Sequence, residues 1–263
     1  MQSGEATHVS IDLIEDPDSI EGITDLKNLE ELELKGITIP TGDNLDWIIT
    51  SFPKLVRLHI SGESYSSVCV ISSILDKMAH NKTLRDVSID IKRLPIAMYE
   101  SGYNGPIYRM KMVGYAVTKL LLCNETITSF RLRGQPIMSN GIPAILYKNT
   151  TLERLELSCF AADMAEFSDA LIENKSLRYI RLPFFKQFAF DKLISALERN
   201  DVLQGLIICN GLICSLEERE ELIKRDTMFD LYQECYDYRY ITHNEYDLLK
   251  EACSRYGIDI IEM

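Results

Sequence analysis

One short apolar pattern recurs along this chain at nearly constant intervals. It has the form L-x-x-L-x-L, with other large apolar residues replacing some leucines, and its copies begin at Leu29, Leu55, Leu84, Ile127, Leu152, Leu177 and Leu203. The intervals between these starts are 26, 29, 43, 25, 25 and 26 residues, and HVSID, with Val9 and Ile11, fits a degenerate first copy. Such a period predicts stacked copies of one supersecondary unit, and the longest interval predicts an insertion.

Each copy is expected to contain one strand and one helix. Alternating apolar positions within the runs predict short strands with one buried face. Between the runs, apolar residues recur at helical spacing of three and four, as in Ile71, Leu75 and Met78; Val113, Val117 and Leu120; Met164, Phe167 and Leu171; and Phe190, Leu193 and Leu197. The pattern therefore predicts strands that alternate with amphipathic helices.

An asparagine precedes five of the strands by the same distance. Asn81, Asn124, Asn149, Asn174 and Asn200 each stand three residues before the first apolar strand position. The first four also form N-x-S/T sequons, which a protein without a signal peptide would not present for glycosylation. We interpret them as helix terminators, since asparagine tolerates the left-handed conformation found at helix ends.

The repeating strand–helix pattern resembles leucine-rich repeats, nearest to the long, helix-containing ribonuclease-inhibitor-like class. The resemblance covers about residues 5–212 and implies an α/β solenoid, with a parallel concave sheet and helices on the convex side. The family usually places Asn or Cys three residues after the last strand leucine. Here those positions hold Ile37, Glu63, Lys92, Gln135, Phe160, Phe185 and Gly211.

The predicted domain organisation has two parts. Residues 1–212 form the solenoid, with an insertion near 92–110 that is either a tolerated surface loop or a binding loop presenting Tyr103. Residues 213–263, where the strand pattern ends after Ile208, form a helical C-terminal cap or tail. Its two helices are predicted from capping boxes at Ser215 and Thr242, and six of the thirteen tyrosines lie in it. The tail either covers the last repeat or docks a partner.

Composition excludes several functions. A formal net charge of -12 argues against general nucleic-acid binding, because phosphate backbones are held by Lys and Arg. The N-terminus lacks a secretory signal pattern and no apolar run is long enough to span a membrane, so a cytoplasmic protein is expected. Seven scattered cysteines are expected to be reduced and mostly in the core.

No catalytic, cofactor-binding or metal-binding residue is predicted. The four histidines have no metal-site spacing, and no glycine-rich phosphate loop is present. One fragment, Cys235-Tyr236-Asp237, is similar to the C-x-D active-site motif of bacterial leucine-rich-repeat ubiquitin ligases. Those enzymes carry a far larger catalytic domain, so a helix-core cysteine is the preferred interpretation of Cys235.

The outward side chains of the strands are the expected binding surface. Their charge changes along the array, and four arginines and a tyrosine gather on three strands. The candidate partner-binding residues are Arg131, Arg133, Arg154, Glu156, Tyr179, Arg181, His59 and Tyr103. Charge reversal at Arg131, Arg133 and Arg181 is expected to abolish binding without changing stability. The competing interpretation is an ordinary solvated face on which Arg131 and Arg181 flank Glu156.

These features predict a non-enzymatic protein-protein interaction module that docks an acidic or phosphorylated protein partner on the concave face. One alternative is a bacterial effector or adaptor that acts through the Tyr-rich tail, in ubiquitin signalling if Cys235 is reactive. Another is simple self-association of the array.

Overall fold

The fold is α/β. A computed structural model describes residues 6–12, 25–37, 46–63, 67–92, 106–138, 141–181, 184–185, 190–208, 213–214 and 241–262. Within these ranges helices lie between most of the successive strands, and the strand pairings are parallel. This confirms the α/β class expected from the repeating pattern. The chain divides into two compact units, Met1–Met138 and Ser139–Met263.

The first unit contains five parallel strands that lie side by side in chain order. The strands are β1 His8–Asp12, β2 Glu31–Ile37, β3 Arg57–Glu63, β4 Asp86–Lys92 and β5 Ser129–Met138. The helices are α1 Asp46–Ser51, α2 Ser67–Met78 and α3 Pro106–Cys123. Helix α2 contacts both α1 and α3, so the helices also form a layer in chain order.

The core of the first unit lies on one side of its strands. Leu32, Leu58, Val87 and Phe130 are neighbours in the strand register and are at most 2% exposed. Because side chains alternate between the two faces of a strand, the residues beside them project to the opposite, polar face. The spacing of the apolar residues therefore decides which side chains are available for binding.

Helix α3 begins earlier than expected. The apolar spacing predicted a helix from about Lys111, but the helix starts at Pro106. Proline suits a first helical position, where its missing N–H has no intrahelical partner to bond. The rest of the predicted insertion, residues 93–105, lies outside the described ranges, and Tyr103 lies outside them as well.

The second unit continues the alternation of helix and strand. Its helices are α4 Ile142–Lys148, α5 Met164–Glu173, α6 Phe190–Arg199 and α7 His243–Tyr256. Its strands are β6 Arg154–Ala162, β7 Tyr179–Arg181, β8 Phe184–Phe185, β9 Gly205–Ile208, β10 Ile213–Cys214, β11 Ile241–Thr242 and β12 Asp259–Glu262. Strands β6, β7, β9 and β12 are successive neighbours, β8 pairs with β6, and β10 pairs with β11.

The expectation that the strand pattern ends after Ile208 is wrong. Strand β12 pairs with β9, with Ile260 opposite Leu206, and α7 contacts α6. Residues 241–262 therefore add one more helix and strand to the second unit. The connection turns at Gly257, whose φ of 68° favours glycine. The N–H groups of Gly257 and Ile258 donate to the carbonyls of Ser254 and Cys253, as in a Schellman motif.

The recurring asparagines have a structural role, but the expected left-handed conformation is wrong. Asn149 and Asn174 follow α4 and α5 with φ of -80° and -71°, which is extended backbone. Their side chains form the turn instead. Asn174 Oδ1 accepts from the N–H groups of Ser176 at 3.1 Å and Leu177 at 2.7 Å. Asparagine side chains commonly close such turns with their own following backbone.

The same side chains also connect successive copies. Asn174 Nδ2 donates to the carbonyl of Leu146 at 2.7 Å, and Asn200 Nδ2 donates to that of Leu171 at 2.6 Å. In the first unit, Asn124 Nδ2 donates to the carbonyl of Met78 at 2.8 Å. We call these bonds the asparagine ladder of each unit. They satisfy helix-end carbonyls that would otherwise be buried without a partner.

The ladder also explains the sequons. The hydroxyl of the third residue of each sequon lies close to the asparagine Oδ1, at 3.2, 3.1, 3.2 and 3.5 Å for Thr83, Thr126, Thr151 and Ser176. The hydroxyls of Thr126 and Ser176 lie closer still to the carbonyls of Leu84 and Asn149, at 2.9 and 3.2 Å. Asn124 and Asn174 are 2% and 5% exposed. The recurring N-x-S/T tripeptide is therefore a turn with its own hydrogen bonds.

Candidate functional site

The outward face of the first unit carries charges that alternate from strand to strand. Glu31 on β2 lies opposite Arg57 on β3, and Arg57 lies opposite Asp86 on β4. On β5, Arg131 lies opposite Ser88, two residues beyond Asp86, and its guanidinium reaches back to Asp86. We call Glu31, Arg57, Asp86 and Arg131 the charge ladder. Neighbouring strands are about 4.8 Å apart, so the sign of the charge changes at about that interval.

Ion pairs join Glu31 to Arg57 and Asp86 to Arg131 within the charge ladder. Arg57 donates to Glu31, and His8 Nδ1 lies 3.2 Å from the same carboxylate. The side chains of Arg57 and Glu31 are 61% and 36% exposed. Pairs of this kind are worth at most about 1 kcal/mol, because water solvates both charges well. A partner can therefore replace them at little cost.

The pair at the other end of the ladder is incomplete. Arg131 Nη2 lies 3.4 Å from Asp86 Oδ2, which is longer than the 2.7–2.9 Å typical of such bonds. Within the described ranges, Asp86 Oδ1 and Arg131 Nε are buried atoms without a hydrogen-bond partner. Both side chains are 33% exposed. Arg131 thus has a donor, Nε, that its carboxylate neighbour does not use.

Four more polar side chains lie beside the charge ladder. Glu33 lies opposite His59, and farther along the strands Asp90 lies opposite Arg133. Glu33 accepts from Ser10 Oγ at 2.6 Å and from Lys35 Nζ at 2.9 Å. The hydrogen bond from Ser10, followed by that from Lys35, lowers the pKa of Glu33. Glu33 therefore stays charged to a lower pH than an isolated glutamate.

The charge ladder and the four side chains beside it line one concavity of about 370 Å³ in the first unit. Its charged lining comprises Glu31, Glu33, Arg57, Asp86, Asp90, Arg131 and Arg133, together with His8 and His59. Three predicted residues, Arg131, Arg133 and His59, are thus brought into one site. The carboxylates were not among the candidates, although the register of the strand runs could have shown that acidic and basic strands alternate.

The outward face of the second unit is different, because two of its four predicted residues, Glu156 and Arg181, are buried. Glu156 is 0% and Arg181 6% exposed, and Ile207, expected to face outward, is 0% exposed. Arg154 Nη2 lies 2.6 Å from Glu156 Oε1 on the same strand. A buried carboxylate needs such a partner, since desolvation of a lone charge is costly. The expectation that Glu156 lies on a solvated face is wrong: Glu156 is buried, and Arg154 is one of its partners.

Tyr179 is held between neighbouring strands. The guanidinium of Arg154 lies 5.3 Å from the centre of its ring, within the range of a cation–π contact. On the other side, a Cβ at Gly205 would lie 2.6 Å from the ring carbon Cδ1. The absence of a side chain at Gly205 makes room for the ring. Arg154, Glu156 and Tyr179 therefore form one packed cluster.

The described cysteines differ from each other. Cys253 in α7 is buried, and burial raises the pKa of its thiol to about 11, as expected for a reduced core cysteine. Cys123, the last residue of α3, is exposed, so the prediction of a core position is wrong there. Helix α7 follows Thr242, as its capping box predicted. Residues 215–240, with Cys235 and most of the tail tyrosines, lie outside the described ranges.

Comparison with family models gives no match, and comparison with curated proteins gives none either. Searching the described residues finds no helix that combines the length and the apolar character needed to cross a membrane. It also finds no group of three or more His, Cys, Asp or Glu side chains placed to hold a metal ion.

Proposed function

We propose that this chain is a non-enzymatic protein-binding module of the leucine-rich-repeat type. In this proposal an acidic or phosphorylated group of a protein partner binds Arg131 and Arg133 on the outward face of the first unit. The repeating helix–strand unit, the parallel register and the asparagine ladders support the repeat assignment. Residues 241–262, with α7 and β12, would cap the second unit.

The observation that carries the proposal is the concavity of the first unit. It is lined by side chains of successive strands and has two arginines of β5 among its lining residues. The side chain of Arg131 is 33% exposed, and its 3.4 Å contact with Asp86 is longer than a typical charge-assisted hydrogen bond. Charge-assisted hydrogen bonds from arginine to carboxylate or phosphate are among the stronger polar contacts in interfaces. The buried face of the second unit offers no comparable access to Glu156 or Arg181.

A quantitative pull-down tests the proposal. The variant Arg131→Glu/Arg133→Glu is compared with the wild type and with Lys82→Glu/Lys111→Glu, which makes the same change in net charge at exposed positions. We expect at least one partner to be lost from the arginine variant and retained by the lysine variant. Arg181 is left unchanged, because reversing a residue that is 6% exposed would also destabilise the fold. Identical partner sets for all three proteins would refute the proposal.

A further inference from the structure

We infer that the partner element bound by the first unit is an α-helix that lies across its strands and carries charges of alternating sign. The inference rests on the proposed function and specifies the chemistry of the partner. It follows from the spacing and the order of charge in the ladder formed by Glu31, Arg57, Asp86 and Arg131. The complementary stripe is basic, acidic, basic and acidic.

The spacing favours a helix over an extended peptide. The four ladder residues span three strand intervals, about 14 Å, and Arg131 lies two residues farther along its strand than the row of the other three, so Glu31 and Arg131 are about 16 Å apart. On a helix, residues at i, i+4, i+7 and i+11 share one stripe and span about 16 Å at 1.5 Å per residue. In an extended chain, side chains on one face recur about every 6.7 Å, so four of them span about 20 Å. The span of the helical stripe therefore agrees with that of the charge ladder, and the length of Lys and Glu side chains can absorb the small difference.

The sign pattern excludes a purely acidic or purely basic partner surface. An acidic group that binds Arg131 lies one strand from Asp86, and an acidic group over Arg57 lies between Glu31 and Asp86. A uniformly charged stripe would therefore meet repulsion at two of four positions. A partner stripe of alternating charge avoids both repulsions. Repulsion between like charges would disfavour partners with uniform charge and so provides specificity.

Alternating charge also suits the partner helix itself. Opposite charges separated by three or four residues stabilise an isolated helix modestly. On binding, the charged residues of the partner helix would exchange these internal pairs for pairs with the charge ladder. Since the pairs that Glu31 makes with His8 and Arg57 are exposed, neither side gives up a strong interaction.

Three stapled helical peptides test the inference, with charged residues at positions 3, 7, 10 and 14 of an alanine-rich sequence. The alternating peptide carries Lys, Glu, Lys and Glu; the block peptide carries Lys, Lys, Glu and Glu; the acidic peptide carries four Glu. Binding to the full chain is measured by fluorescence anisotropy at low ionic strength. We expect the alternating peptide to bind about tenfold more tightly than the block peptide, because only the two central contacts differ.

A charge exchange within the chain provides the decisive control. The variant Arg57→Glu/Asp86→Arg leaves the net charge unchanged and converts the ladder to two acidic positions followed by two basic ones. It should prefer the block peptide over the alternating one, with circular dichroism confirming that it is folded. A reversed preference between the two peptides would support the inference, because non-specific binding to this face would not depend on the order of its charges.

The remaining outcomes overturn it. Equal affinity of the alternating and block peptides would show that charge order is not recognised. If only the acidic peptide binds, the helix inference fails and the proposed docking of acidic groups stands. If no peptide binds, the inference fails, and the pull-down with Arg131→Glu/Arg133→Glu decides the proposed function separately.

Discussion

Both units carry ion-paired side chains on the outward face of their strands, but the solvent exposure of these side chains differs. In the first, Glu31 and Arg57 are paired but 36% and 61% exposed. In the second, Glu156 is paired with Arg154 and is 0% exposed. The strand–helix pattern alone does not distinguish them. Burial determines whether a charged side chain is available to a partner or is required for stability.

The scaffold beneath these faces is similar in both units. Asn124 in the first and Asn174 in the second each donate to a carbonyl of an earlier copy and accept from two following N–H groups. The contrast between the faces therefore does not come from different turns. It comes from the side chains that the strands carry and from their degree of burial.

The largest expected effect is on the asparagine ladder, and it should be equal in both units. Asn124→Ala and Asn174→Ala each remove several buried hydrogen bonds, at about 1 kcal/mol each, and should destabilise the protein by about 3–4 kcal/mol. Chemical denaturation measures the loss. Asn28→Ala, at an exposed position, is the control and should change stability by less than about 0.5 kcal/mol. A large effect in one unit only would contradict the shared role.

The next largest effect compares an arginine substitution on the outward face of each unit. Arg154→Ala removes a partner of buried Glu156 and should cost about 3 kcal/mol, because the remaining carboxylate is desolvated. Arg57→Ala, at an exposed pair, should cost at most about 1 kcal/mol. Thermal and chemical unfolding of both variants provide the comparison. Similar losses for the two substitutions would mean that the faces are energetically equivalent.

Much of the fold could be predicted from the sequence, since the apolar period reports directly on burial. Leu32, Leu58, Val87 and Phe130 were placed by their spacing, and all are buried. Strand β12 was missed because its copy lacks the usual signals: Ser254 stands where other copies have asparagine, and Gly257 where they have the first leucine. A search for the asparagine and leucine positions therefore misses a copy whose helix ends at a glycine turn instead.

The candidate site was harder to predict, because the alternation of residues along a strand gives the direction of a side chain but not its solvent exposure. Arg131 and Arg181 both occupy outward positions, yet they are 33% and 6% exposed. Their difference depends on tertiary packing, which no single strand run encodes. The pairing of Arg131 with Asp86 joins residues far apart in sequence and is diagonal across β4 and β5, since Arg131 lies opposite Ser88, so only the side-chain positions reveal it.

Packing around Tyr179 gives a smaller effect that belongs to the second unit alone. Gly205→Ala would place a methyl group against the ring carbons Cδ1 and Cε1, at 2.6 and 2.8 Å, while Arg154 lies over the ring. We expect a loss of about 1–2 kcal/mol from this overpacking. In a Tyr179→Ala background the same substitution should cost much less. Additive losses in the double variant would show that the ring and the glycine are independent.

The smallest expected effect concerns Glu33 on the exposed face, and it depends on pH. The pKa of Glu33 is lowered from 4.5 by the hydrogen bonds from Ser10 and Lys35. A depressed pKa in the folded state contributes stability above the unfolded value, and that contribution is lost as pH falls through the folded value. Glu33→Gln should therefore cost at most about 1 kcal/mol near pH 7, and the difference from wild type should shrink below about pH 4.5.

Denaturation curves between pH 7 and pH 3 measure this difference, and Ser10→Ala provides the internal check. Ser10 supplies the largest contribution to the lowered pKa, so its removal should abolish most of the same pH-dependent term. The double variant should then resemble Glu33→Gln alone, because both substitutions act on one interaction. A pH-independent loss in Glu33→Gln would instead indicate that the carboxylate acts through packing, as a buried residue would. The exposed face would then be closer in character to the buried face of the second unit than its solvent exposure indicates.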